Sequence, residues 1–209
     1  MGFACVGSDR NTKCSNLATT VAVHQEKFGF IHVPKTGGTW AVHAMQRAGI
    51  ELTVMGEGSD RHVPYSGVPG PFRFGFVRDP AMWYRSHWAH KRRHEDYPEV
   101  MDPFHQAIRA STDFPDFVER ATAAMPRYVT NLYEHFLGPP GAIEYIGHQE
   151  NLVEDLVTAL ELAGVEFDPA AIRSVPPVNE GTDDMPQITP ELRELIRAAE
   201  HNAFERFGY

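Results

Sequence analysis

Phe72, Phe74 and Phe76 alternate with Arg73, Gly75 and Val77, the period of a β-strand, and Arg78-Asp79-Pro80 closes the run. A second strand is expected over Lys27–Val33, which is apolar apart from Lys27 and His32 and is bounded by Pro34. Thr36-Gly37-Gly38 then reads as a turn, and Trp40, Val42, Ala44 and Met45 predict a helix over 39–48 that Gly49 ends. Glu51–Met55 is expected as a strand, and the glycine- and proline-dense stretch 56–71 as a loop. Pro80 opens a helix that runs to about His94. The pattern weakens from Glu95 to Gly141, where 114–124 and 128–136 read as short helices. Ala142–Gly147 is the next strand. Asn151, with Glu154 in capping-box spacing, starts a helix striped by Leu152, Leu156 and Leu160 and ended by Gly164. After a proline-rich loop over 174–188, Thr189-Pro190 opens a last helix that buries Leu192, Leu195, Ile196, Ala199 and Phe204. Strands alternating with helices predict an α/β fold of three layers, a mostly parallel sheet covered by helices on both faces.

At 209 residues the chain fits one domain, 1–209, with residues 1–25 as a peripheral segment. A net charge of −9 argues against non-specific attraction to nucleic acid or to an anionic membrane. Any anionic ligand therefore needs a local pocket. No run approaches the ~18 apolar residues of a membrane span, and 1–16 lacks the apolar stretch of a signal peptide, so cytoplasmic residence is expected. Cys5 and Cys14 can pair, but two cysteines make no disulfide framework.

Chemistry concentrates at Val33-Pro34-Lys35-Thr36-Gly37-Gly38-Thr39-Trp40. A buried strand leads into a turn without bulky side chains, and the turn feeds a helix N-terminus. Amides of Gly37, Gly38 and Thr39 can face one anion there, with the Lys35 charge beside them. The ATPase loop G-x-x-x-x-G-K-[ST] is not matched, because Pro34 stands where its second glycine must be. A purely structural turn is the competing reading. The second signal is Arg78, expected at a strand end, with Ser86 eight residues on in the following helix. The guanidinium fork and the hydroxyl suit one phosphate. Pairing of Arg78 with Asp79 is the alternative.

Together these segments resemble the sulfotransferases: Lys35 to Trp40 is similar to their 5′-phosphosulfate loop, and Arg78…Ser86 to their 3′-phosphate motif. The Gly-Gly version is closer to the carbohydrate and Golgi-type members. The resemblance implies a P-loop-like sulfotransferase fold over 27–209. It implies 3′-phosphoadenosine 5′-phosphosulfate (PAPS) as sulfuryl donor and adenosine 3′,5′-bisphosphate as product. Lys35 is implied at the bridging oxygen. Lys35, Thr36, Gly37, Gly38, Thr39, Trp40, Arg78 and Ser86 would hold the nucleotide. The acceptor is a hydroxyl on a small molecule or a carbohydrate. No metal is expected, since a sulfuryl group carries less charge than a terminal phosphoryl group. A base is needed for the acceptor proton; His62, in the loop after 51–55, is the choice, since relatives use His or Glu in a similar loop, and Glu57 is the runner-up. His87, His90 and His94 share a helix face with Lys91, Arg92 and Arg93, which reads as a solvated basic face before a metal site. Trp83, Tyr84 and Trp88 are expected mostly in the core. A P-loop small-molecule kinase and a non-catalytic nucleotide-bisphosphate-binding module are the competing functions.

Overall fold

In a computed structural model the described residues are 22–55, 62–94, 101–176 and 185–209. Strands β1 (Val23–His24), β2 (Gly29–Ile31), β3 (Thr53–Val54), β4 (Arg73–Val77) and β5 (Tyr145–His148) form one sheet in the order β3-β1-β2-β4-β5. Since β2, β4 and β5 run parallel, their C-terminal ends share one edge. The sheet is nevertheless mixed rather than mostly parallel, because β1 is antiparallel to both of its neighbours. Residues 22–25, the end of the segment expected to be peripheral, join this sheet, whereas residues 1–21 lie outside the described residues. A tight turn, Gln25 to Phe28, folds Val23 and His24 back onto β2, and Val23 is fully buried. Two residues are too few to display a period.

The helices are α1 (Gly38–Arg47), α2 (Pro80–His94), α3 (Pro103–Ala110), α4 (Phe114–Ala124), α5 (Tyr128–Leu137), α6 (Leu152–Leu162), α7 (Pro169–Arg173), α8 (Pro190–Ala199) and α9 (His201–Phe207). Strand alternation sorts them between two cores. Phe30, Phe74 and Phe76 point into one core with α1, α6 and α7. Ile31 and Val77 point into the other, filled by α2, α3, α4, α5, α8 and α9. Side-chain caps define several of the described helix starts. Asp102, Asp113, Asp168 and Thr189 each accept an N–H in the first turn, with proline at the head of the helix.

Four local expectations need revision. The stretch 95–141, where the pattern predicts helices over 114–124 and 128–136 alone, also holds α3, and Phe104, Ala107 and Ile108 of that helix lie in the core. Asn151 stands at the head of α6 but builds no capping box; its amide donates to Asp155, and a 3-10 turn over Gln149–Asn151 precedes the helix. The last helix breaks at Glu200, and Leu195, expected on its buried face, is 43% exposed. Glu200 itself is fully buried. The helix face bearing His87 is not simply solvated, because α3 covers His87.

Candidate anion-binding site

The loop after β2 is held from both sides. The Thr36 hydroxyl donates to the Val33 carbonyl at 2.9 Å, and the Trp83 indole N–H donates to the Pro34 carbonyl at 2.9 Å. Lys35 and Gly37 both take positive φ, 67° and 88°. For glycine this is routine. For Lys35 it is a strained conformation maintained by the surrounding structure, which is common at ligand sites. Gly37 opens α1 and has no side chain with which to cap it. The first-turn amides of α1 therefore lack the side-chain acceptor that Asp79 gives α2, where Oδ1 takes the Ala81 and Met82 N–H groups at 2.8 and 3.1 Å. Gly38 is required by packing, since a Cβ there would lie 2.2 Å from Cδ2 of the buried His32 ring. Gly38→Ala is expected to lose about 1–3 kcal/mol of stability through overpacking; denaturant titration with an unchanged midpoint would contradict this contact.

Arg78 directly follows the last residue of β4, at the same sheet edge as the loop, and its Nη1 reaches the Lys35 carbonyl at 3.4 Å. Among the described residues its buried Nε has no partner, and neither has Nε of Arg85, seven positions on in α2. The alternative pairing with Asp79 does not occur. Asp79 caps α2 and is bound by the guanidinium of Arg193, with Nη1 to Oδ1 at 3.4 Å. Among the described residues neither Lys35 nor Arg78 nor Arg85 forms an ion pair with a carboxylate. Burial first, and the nearby charges of Arg78, Arg93 and Lys91 with it, lower the Lys35 pKa to about 8. Burial likewise depresses Arg78; Glu150 opposes the shift and Arg85 adds to it. α2 contributes Arg85, Lys91, Arg92 and Arg93 without one acidic residue. Lys35 and Arg78 are thus crowded together and partly desolvated within an acidic protein, an arrangement that an anion would relieve.

Of the remaining expected residues, Thr36 is buried and serves the turn, whereas Thr39 is half-buried at the start of α1. The Trp40 side chain is committed to the core: it is 5% exposed and its indole N–H donates to the Pro176 carbonyl at 3.1 Å. Only its backbone remains for a ligand. Ser86 is half-buried on α2 next to Arg85. His62 is half-buried, with Nδ1 3.2 Å from the His32 carbonyl and its ring 5.2 Å from the His32 ring. Burial, with His62 and Lys35 nearby, pushes the His32 pKa down to about 3, so that ring is neutral at physiological pH. Glu57, Cys5 and Cys14 fall outside the described residues. Trp83 and Tyr84 are in the core as expected, and Trp88 is half-buried. Among the described residues no three His, Cys, Asp or Glu side chains gather into a metal-binding group, and no helix is long and apolar enough to cross a membrane.

Sequence reading passed over two residues. Arg85 stands beside Ser86 in a helix, where an arginine ordinarily faces solvent, and its orphaned Nε sets it apart. Tyr133, fully buried, hydrogen-bonds the backbone of Arg78 from 55 positions away, with no local signal to reveal it. An open groove lies elsewhere, between α5, β5 and α9, lined by Glu134, Ile146, His148 and Arg206 among others. The orphaned cations are not among its lining residues, so the chemistry points to the loop and not to this groove. No protein-family model, curated protein or solved structure matches the chain.

Proposed function

We propose that this protein is a PAPS-dependent sulfotransferase of P-loop-like fold, acting on a hydroxyl acceptor such as a carbohydrate. The observation that carries the reading is a set of crowded cations that, among the described residues, form no ion pair with a carboxylate: Lys35 in the glycine loop, and Arg78 and Arg85 with buried, unpartnered Nε atoms, Arg78 at the adjacent strand end and Arg85 in α2. Two separated anionic groups on one ligand fit two such centres better than one inorganic ion. The α1 N-terminus and Lys35 would take the 5′-phosphosulfate, and Arg78, Arg85 and Ser86 the 3′-phosphate.

In the transfer, the bond between sulfur and the bridging oxygen breaks while a bond from the acceptor oxygen to sulfur forms. Negative charge grows on the leaving oxygen, and the Lys35 ammonium together with the loop amides stabilises it. His62 takes the acceptor proton. Its Nδ1 faces a carbonyl, which can only accept, so Nδ1 carries the hydrogen and Nε2 keeps its lone pair. The reaction as written calls on no metal ion.

Thermal unfolding in the presence of ligands tests the reading. A ligand at ~100 times its Kd stabilises by about 2.7 kcal/mol, so adenosine 3′,5′-bisphosphate is expected to raise Tm by roughly 5–10 °C. ATP with magnesium is expected to raise it far less. Equal or larger stabilisation by ATP would instead favour a kinase. A bisphosphate shift without sulfuryl transfer to any acceptor in a broad panel would favour a non-catalytic binding module.

A further inference from the structure

We propose that Tyr133 is a positioning residue for the 3′-phosphate anchor, orienting Arg78 through its backbone. The inference rests on the sulfotransferase reading and names the residue on which that anchor depends. The β4–β5 ladder ends at the pair Val77 and His148, so Arg78 is the first residue past its support. The Tyr133 hydroxyl takes over there. It accepts from the Arg78 N–H at 3.1 Å and donates to the Arg78 carbonyl at 2.7 Å. One hydroxyl thereby satisfies both peptide groups that flank the Arg78 Cα. Rotation about either backbone dihedral would break one of the two bonds. The side chain is then aimed so that Nη1 meets the Lys35 carbonyl while Nε stays open.

Tyr133 is itself held firmly. Its ring is fully buried and packs edge-on against Phe207, with centroids 5.4 Å apart. Its helix is anchored one turn earlier by buried Glu200, whose carboxylate accepts the N–H of Val129 at 3.1 Å and of Thr130 at 2.8 Å. Glu200 also accepts the Tyr84 hydroxyl at 2.9 Å, tying α5 to α2. Burial, the largest influence on it, raises the Tyr133 pKa, so the phenol stays protonated and keeps its donor. The Asp79 N–H, one residue on, is taken by Glu150 at 2.9 Å, so the backbone is fixed on both sides of the Arg78–Asp79 peptide.

Calorimetric titration of the wild type and Tyr133→Phe tests the proposal. The two ligands are adenosine 3′,5′-bisphosphate and adenosine 5′-phosphosulfate, which lacks the 3′-phosphate. Phenylalanine keeps the ring packing and removes only the hydroxyl. Tyr133→Phe is expected to weaken the bisphosphate on the order of tenfold, and the phosphosulfate by less than about twofold. Tyr84→Phe removes a comparably buried hydroxyl that bonds Glu200 and not Arg78; it is expected to lower Tm while leaving the ratio of the two affinities unchanged. Equal losses for both ligands in Tyr133→Phe, or an unchanged bisphosphate affinity, overturn the positioning role while leaving the sulfotransferase reading in place. A wild type that binds neither ligand overturns that reading and the inference with it. Should Tyr133→Phe fold poorly, hydrogen exchange of the wild type decides: the Arg78 amide must be strongly protected, and free exchange with solvent overturns the proposal.

Discussion

Lys35→Ala is expected to cut sulfuryl transfer by about 10²–10³-fold or more with every acceptor, as is usual when one pre-organised group facing developing charge is removed. The expectation follows from where the lysine sits. It occupies a strained turn that Thr36 and Trp83 hold in place, and it is pressed against Arg78 without a compensating carboxylate among the described residues. A group maintained at that cost to the free protein repays it only when an anion arrives. The loss should be the same for acidic and weakly acidic acceptors, because the leaving group does not change with the acceptor. A Lys35→Ala variant that keeps more than half the wild-type rate would remove Lys35 from the reaction.

The same lysine sets a pH dependence. Its pKa of about 8 lies below that of an unfolded lysine, near 10.5. Between these values the unfolded chain binds more protons than the folded one, so stability gained from this group rises with pH over that window. Below about 8 the folded protein carries the full cost of the buried charge. Binding of an anion reverses the sign, since it favours the ammonium. Nucleotide affinity should therefore fall as pH rises through 8, and binding at higher pH should take up a proton. Calorimetry in buffers of different ionisation enthalpy reads that uptake directly.

Both candidate motifs can be read in the sequence because each is local. A strand, a glycine turn and a helix start occupy a dozen residues, and Arg78 and Ser86 lie within one strand–helix junction. What holds these residues was not legible. The partners are distant in the chain: Arg193 is 114 residues from Asp79, Tyr133 is 55 from Arg78, and Glu200 is 71 from Val129. No short window carries such pairs. The histidine stripe of α2 misled for a related reason. Its spacing does place the side chains along one face, but spacing is silent about what packs there. Phe104 and His105 of α3 close over His87, which stacks on Trp83 at 4.5 Å and is kept neutral chiefly by burial. β1 escaped notice because its two residues gain their strand character only from β2 and β3 on either side.

His62→Ala is expected to slow transfer to a sugar hydroxyl by about 10²–10⁴-fold, the ordinary worth of a positioned general base. The geometry gives the imidazole a defined tautomer, with Nδ1 directed to the His32 carbonyl and Nε2 free to accept. The neighbouring His32 cannot substitute. Its ring is 1% exposed and packs against Gly38, so an acceptor hydroxyl has no room to approach it. The size of the effect should depend on the acceptor. A nitrophenol ionises without help near neutral pH, so His62→Ala should cost it far less than a sugar alcohol, whose proton must be removed during the transfer. Affinity for adenosine 3′,5′-bisphosphate should be nearly unchanged, because the base serves the acceptor and not the nucleotide. This pattern, a loss graded by acceptor acidity at constant nucleotide affinity, separates His62 from Lys35, whose removal is indifferent to the acceptor. If His62→Ala retains full rate on the sugar hydroxyl, His62 is not the base, and Glu57→Gln becomes the variant that must show the graded loss.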